Sequence, residues 1–376
     1  MSQSRTGSED DRALKSRTMR YLWTLGYYVR KNVPLTETWD RSEHTDIDVL
    51  GVKVDEEFDS AFVVCDCKSG ASNSTKTRLF WLSGVMKYFG APRGIFVRSQ
   101  VLGTKYIELA NSLGISPLSE GQLIELEKAY GVDPNNLVGP FNKEQAKGET
   151  VLMELKEHNK PLYDYLRVKY WEDPPHQQIL SLFSKAKKLN EASEDGRDSS
   201  NFHLAYILSL LSLSVLRLSR GILTVNPPQR EEVASLSLLG GRIGYLERTE
   251  LLEGFYDFMT QELQTRYRAK YPVSKKEFVE NVVPTFSKYL ADLMVRLCQN
   301  PRVAKALPRA MEHLAYDVIL SGQSSGLKVI QTEYPGTSKE QIVNTVKDYW
   351  AFVERSGLAN PYIAHAMDKA IAELDS

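Results

Sequence analysis

The run His44-Thr45-Asp46-Ile47-Asp48-Val49-Leu50-Gly51-Val52, followed after a short acidic segment by Ala61-Phe62-Val63-Val64-Cys65-Asp66-Cys67-Lys68-Ser69-Gly70, decides how this chain is read. Both apolar stretches are short and rich in β-branched residues, which predicts two buried strands joined by a hairpin turn over residues 55–59. Side chains alternate along a strand, so Asp46 and Asp48 share one face of the first, and Asp66 and Lys68 share one face of the second. Carboxylates inside apolar strands are expensive unless they are paired, hydrogen-bonded or bound to a metal. One lysine cannot neutralise three aspartates. A hard divalent cation such as Mg2+ or Mn2+ can, because Mg2+ takes one or two carboxylates, keeps several waters and bridges to phosphate oxygens. The pattern therefore points to metal-assisted attack of water on a phosphodiester.

With Asp48 on one strand and Asp66-Cys67-Lys68 closing the next, the chain resembles the PD-(D/E)XK nuclease superfamily, in the layout of its Mrr-type restriction endonuclease branch, over residues 12–131. That resemblance implies a restriction-endonuclease-like α/β domain, a mixed sheet flanked by helices, hydrolysing DNA with Mg2+ or Mn2+. It casts Asp48 and Asp66 as metal ligands, completed by the backbone carbonyl of Cys67, and Lys68 as the group that orients water and stabilises charge on the phosphorane. Asp46, on the same face as Asp48, is a support behind those ligands or an alternate ligand. Many relatives carry a glutamate early in the first helix. The matching positions here are Leu14 and Lys15, and Glu9, Asp10 and Asp11 lie too far upstream to replace it. A second acid-x-Lys triplet, Glu154-Leu155-Lys156, sits in a helix-favouring stretch with no strand before it and is discounted.

At 376 residues and a net charge of -1, overall composition neither favours nor excludes a polyanionic partner. The distribution of charge says more. Six basic residues and no acid lie between Arg12 and Lys31, and seven and none between Cys67 and Ile107, whereas the segment from Glu37 to Asp66 holds ten acids. Such a layout suits cutting a polyanion, since phosphates need cations around a site that needs carboxylates only at its metal. Arg17, Arg20, Lys76, Arg78 and Lys87 are the candidate nucleic-acid contacts, with the Ser/Gly/Asn-rich loop after Lys68 as a source of hydroxyl and backbone donors. Three cysteines, Cys65, Cys67 and Cys298, suit a reducing cytoplasm rather than a disulfide framework. No further Cys or His stands near them at zinc-ligand spacing. The Gly240-Gly241-Arg242-Ile243-Gly244 stretch lacks the strand a phosphate loop requires, and the uncharged run from Asn201 to Leu216 reads as a buried helix.

Along the chain, residues 1–11 are expected to be disordered, without the apolar core of a signal peptide. A first helix follows, stopped at Gly26, then a strand from Tyr27 broken near Pro34 and a loop over residues 34–42. The predicted order for residues 12–131 is α-β-β-β-α-β-α-β-α, a mixed sheet covered by helices. Residues 132–140 read as a linker and 141–376 as an all-helical domain for sensing, partner binding or oligomerisation. Expected partners are DNA, a second copy of the chain and a helicase or ATPase, in prokaryotic defence against foreign DNA. Two other classes stay open: a nuclease fold that binds nucleic acid without cutting it, and a scaffold acting through its helices.

Overall fold

In a computed structural model, the described residues are 3–36, 43–70, 74–135, 137–143, 145–192, 198–280, 283–323, 329–330, 333–334 and 336–375. The sheet region runs α1 (Gln3–Thr24), β1 (Tyr28–Thr36), β2 (Glu43–Val54), β3 (Ser60–Lys68), α2 (Thr75–Phe89), β4 (Arg93–Arg98), α3 (Thr104–Ser112), β5 (Ile115–Ser119) and α4 (Glu120–Ala129). This is the element order the sequence predicts. The five strands lie in the order β1-β2-β3-β4-β5, antiparallel from β1 to β3 and parallel from β3 to β5.

Local chemistry explains the boundaries. Gly26 (φ +86°) and Gly90 (φ +61°) occupy the left-handed conformation that ends a helix without a Cβ penalty. Between β2 and β3, Asp55 Oδ1 accepts the Glu57 and Asp59 amides, each at 2.9 Å, and the Phe58 ring is buried to anchor its own left-handed backbone (φ +61°). Two expectations need correction. Helix α1 begins at Gln3, inside the stretch expected to be disordered. Strand β1 continues through Pro34, which pairs with Asp46, because β1 is an edge strand where a missing N–H need not cost a ladder bond. Residues 37–42 and 71–73, in the two loops singled out from the sequence, lie outside the described residues.

One face of the sheet, with Val49, Val63, Cys65, Ile95 and Val97, packs on Leu14 and Leu22 of α1 and Leu123 of α4. The other face, with Leu50, Val52, Val64 and Phe96, belongs to a single apolar cluster that runs on into the C-terminal helices. Those helices are α5 (Gln145–His158), α6 (Pro175–Ala192), α7 (Asp198–Leu223), α8 (Arg230–Ser237), α9 (Gly241–Tyr267), α10 (Lys275–Glu280), α11 (Ser287–Leu297), α12 (Leu307–His313), α13 (Lys339–Arg355) and α14 (Pro361–Asp375), with shorter turns between them. The discounted Glu154–Lys156 triplet lies within α5. Ser199–Leu223 is long and apolar enough to cross a membrane by length and composition, and it is mostly buried as the central helix. Its serines fit an apolar setting by bonding back along the helix: Ser212 Oγ to Ser209 O at 2.6 Å, Ser219 Oγ to Val215 O at 2.8 Å.

The change of secondary structure at residues 132–140 is therefore not a break in the core. Gly139–Phe141 forms a buried turn, with Gly139 N donating to the Asp317 carboxylate at 2.8 Å and the Phe141 ring edge-on to Trp23. Two buried polar networks tie the regions together. In the first, Arg30 of β1 donates to both oxygens of Glu312, at 2.6 and 3.1 Å, and Tyr28 and Ser209 also bond that carboxylate. In the second, Glu333 accepts from Trp23 Nε1 at 2.7 Å and faces Arg309 and His313, while His313 Nδ1 meets Asp317 at 2.7 Å.

Removing one member of a buried pair leaves a desolvated charge, so Arg30→Ala should cost about 3–5 kcal/mol in urea unfolding. The second network sets a pH dependence. Burial pushes the His313 imidazolium toward losing its proton, but Asp317 and Glu333 outweigh burial and raise its pKa to about 9, while Arg309 and His313 overcome burial to hold Glu333 near 2. The stability His313 contributes is complete below its ordinary pKa of 6.5 and is lost as pH rises through about 9. The urea midpoint should therefore fall between pH 6.5 and 9, and His313→Gln should flatten that slope.

Candidate active site

The ladder between β2 and β3 ends at Val49↔Cys65, although both strands continue. Beyond that point β2 stays paired to β1, at Val33↔Ile47 and Pro34↔Asp46, and β3 to β4, at Asp66↔Phe96 and Lys68↔Arg98. The two strands part where Asp48, Asp66 and Lys68 stand. Parting leaves backbone donors without a strand partner, and the Asp48 carboxylate fills the gap by accepting the Cys67 amide on Oδ2 at 2.8 Å. Asp48 and Asp66 are both buried. Lys68 Nζ lies 3.2 Å from Asp48 Oδ2 and 3.7 Å from Asp66 Oδ1, so the aspartate pair and the lysine do converge.

Three further side chains complete the cluster. Lys15 Nζ from α1 lies 2.6 Å from Asp48 Oδ1 and also donates to Asn32 Oδ1. Arg78, in the first turn of α2, grips both oxygens of Asp66, with Nε 2.8 Å from Oδ2, and stacks over the Trp81 ring. Asp11 accepts the Ser69 amide at 2.7 Å, fixing the backbone just past Lys68. Asp46 is less engaged, with its carboxylate 41% exposed and 3.8 Å from Lys15.

These contacts correct several expectations. Arg78, expected as a nucleic-acid contact, is spent on Asp66, and Lys15, at the position where relatives carry a glutamate, is spent on Asp48. The charge argument changes with them, because Lys15, Lys68 and Arg78 compensate the buried Asp48 and Asp66 without any ion, and set three cations rather than one against the four carboxylates Asp11, Asp46, Asp48 and Asp66. Asp11, set aside as too far upstream, reaches the site because α1 passes over this end of the sheet. Arg17 and Arg20, expected to touch nucleic acid, instead bond Glu127 at 2.8 Å each and fasten α1 to α4. Lys76 and Lys87 are exposed on α2. Cys65 and Cys67 are buried on the opposite face, where Cys67 Sγ meets Thr18 of α1.

The two carboxyls are driven apart electrostatically. Burial raises both, but at Asp48 the ammonium groups of Lys15 and Lys68 and the Cys67 amide outweigh it and hold the pKa below the usual range. At Asp66 burial prevails, reinforced by the neighbouring Asp48 against the pull of Arg78, and the pKa is raised. Lys68, despite the desolvation that disfavours its charge, is held protonated by both aspartates.

Whether a divalent ion fits can be judged from the donors. Two carboxylates and the Cys67 carbonyl are hard oxygen ligands of the kind Mg2+ accepts. All four carboxylate oxygens are already occupied, however, and an entering cation must displace the Arg78 guanidinium or a lysine. Among the described residues no group of three or more His, Cys, Asp or Glu side chains gathers to hold a metal. Lys68 and Arg78 lie toward solvent, 23% and 21% exposed, with the carboxylates beneath them. An approaching phosphate would meet the cations first. Among known proteins, no family model, curated protein or solved structure matches the chain.

Proposed function

We propose that this chain is a metal-dependent endonuclease with a restriction-endonuclease-like core, hydrolysing DNA phosphodiesters at the gap between β2 and β3. The observation that carries this reading is the parting of those strands, which gathers Asp48, Asp66 and Lys68 at one point of a mixed sheet. Magnesium or manganese held by Asp48 and Asp66, with the Cys67 carbonyl, would neutralise charge developing on the phosphoryl oxygens. Lys68, kept protonated by the two carboxylates, donates hydrogen bonds toward the attacking water and the phosphorane oxygens. Lys15 keeps Asp48 ionised, and the buried Cys67 amide fixes its orientation. Arg78 is the group a cation must replace on Asp66, and once released it is a guanidinium poised beside the incoming phosphate. Defence of a prokaryotic cell against foreign DNA, alongside a helicase or ATPase, is the setting the family resemblance implies.

A second reading has its own support. Lys15, Lys68 and Arg78 already pair with the two buried aspartates, so Asp48 and Asp66 are compensated without metal, and the outward-lying Lys68 and Arg78 could hold a phosphate backbone without cutting it. Metal titration separates the two.

With Mg2+ or Mn2+ the purified protein should cleave DNA in an assay that compares linear, supercoiled and single-stranded DNA with RNA. Lys68→Ala and Asp66→Asn should each lower the rate by on the order of 10²–10³, with an unchanged circular dichroism spectrum. Cleavage that survives both changes removes the assignment. Arg78→Gln should tighten Mn2+ binding in calorimetry at pH 8 by roughly ten- to hundredfold, the worth of charge-assisted hydrogen bonds of about 1.5–3 kcal/mol. Heat of binding absent from both the natural chain and Arg78→Gln would favour the non-cutting module.

A further inference from the structure

Asn32 of β1 has a left-handed backbone (φ +51°), a conformation that Asn adopts more readily than most residues because its short side chain bonds locally. The kink interrupts the strand's alternation: Val29 and Val33, which a regular strand would set on one face, belong to the apolar clusters of opposite faces. The register that pairs Lys31 with Val49 and Val33 with Ile47 puts Asn32 across from Asp48. There Asn32 Oδ1 accepts from Lys15 Nζ at 2.7 Å, while the same ammonium lies 2.6 Å from Asp48 Oδ1. The Asn32 carbonyl is engaged from the other side, accepting from Arg167 in the π-helical turn Tyr165–Lys169. Arg167 is itself steadied by the Tyr163 hydroxyl, which accepts from Nη1 at 3.1 Å. The two residues before Asn32 are fastened to the same region, Arg30 by Glu312 and Lys31 by Glu149.

We propose that Asn32 is a positioning residue of this site, holding the Lys15 ammonium on Asp48 while Arg167 holds Asn32 in turn, so that the helical region sets the placement of a metal ligand. An ammonium has three donors on a flexible stem, and one carboxylate alone does not fix where it stands. Asn32 supplies the second point of attachment. Because an amide oxygen is neutral, it does so without drawing the positive charge away from Asp48. Asn suits the position on both counts: Gly would keep the backbone and lose the acceptor, and a β-branched residue would fit neither. Of the three contacts that fasten residues 30–32 to the helices, the one from Arg167 ends on the residue that touches Lys15. What Asp48 does chemically rests on the nuclease reading; how it is held does not.

In the full chain, Asn32→Gly removes the acceptor and keeps the left-handed backbone with its carbonyl, so the unfolding midpoint should not fall. With Lys15 no longer fixed, Asp48 is less well aimed at the Cys67 amide, whose hydrogen exchange followed by NMR should quicken by about tenfold, the worth of roughly one hydrogen bond. Val64, inside the paired ladder, should exchange as before. In cleavage the same variant should lower kcat by on the order of ten- to a hundredfold and leave KM for DNA unaltered. Lys15→Met should do at least as much, and adding Asn32→Gly to it should change nothing further, because Asn32 acts through Lys15. Arg167→Gln should quicken Cys67 exchange in the natural chain but not beside Asn32→Gly. Unchanged Cys67 exchange in Asn32→Gly, equal loosening at Val64, or effects of Asn32→Gly and Lys15→Met that simply add would each overturn the proposal. A natural chain that cuts no DNA overturns the nuclease reading instead, and the exchange rates alone then decide this one.

Discussion

Asp48 sits where the sheet opens, and the rest of the site depends on how its carboxylate is satisfied. An antiparallel ladder that stops while its strands continue leaves amides that must find other acceptors. Here one is taken by Asp48 itself, which at the same time receives Lys15 from α1 and Lys68 from β3. That one side chain closes a backbone vacancy, holds the first helix against the end of the sheet and fixes the lysine between two carboxylates. It can do so only because it is buried and ionised together, a combination its two ammonium partners sustain.

Asp66 shows the complementary case. It is buried as deeply, but its hydrogen-bonded partner is the Arg78 guanidinium on the following helix, with Lys68 farther off at 3.7 Å, and its neighbour carries the same charge. Two carboxyls a strand apart are thus pushed to opposite sides of the usual range, an asymmetry that accompanies acid–base and metal chemistry as well as plain structural pairing. What distinguishes those outcomes is whether Arg78 can be exchanged for another cation. The guanidinium is partly exposed and rests on Trp81, so its departure would not open the core.

The helical region is fastened to the sheet by charge as well as by packing. Arg30 with Glu312, and Trp23 with Glu333 and His313, cross between the regions in buried positions. A buried ionic contact adds little net stability over an apolar one, but losing one partner leaves an uncompensated charge, so both partners must stay in place. They fix how the first strand and first helix sit against the C-terminal helices, and so reach the same α1 that delivers Lys15 and Asp11 to the site.

Short-range pattern made most of the fold legible. Alternating β-branched residues set β2 and β3, Gly26 and Gly90 ended their helices, and the order of elements through α4 followed from period and turn chemistry alone. The convergence of Asp48, Asp66 and Lys68 was legible too, because a strand's two-residue repeat fixes which side chains share a face. The partners of those groups were not. Lys15 and Arg78 appear on amphipathic helices as ordinary polar positions, and only the docking of α1 and α2 at the sheet's open end turns them inward. Glu127 claims Arg17 and Arg20 from more than a hundred residues away, beyond the reach of any local pattern. The sequence by itself thus determined which stretches form β2 and β3 and that Asp48 meets Asp66, since both are consequences of backbone geometry between neighbours. The balance of charge around them was decided by tertiary structure, because ion pairs follow distance in space and the cations arrive from separate helices.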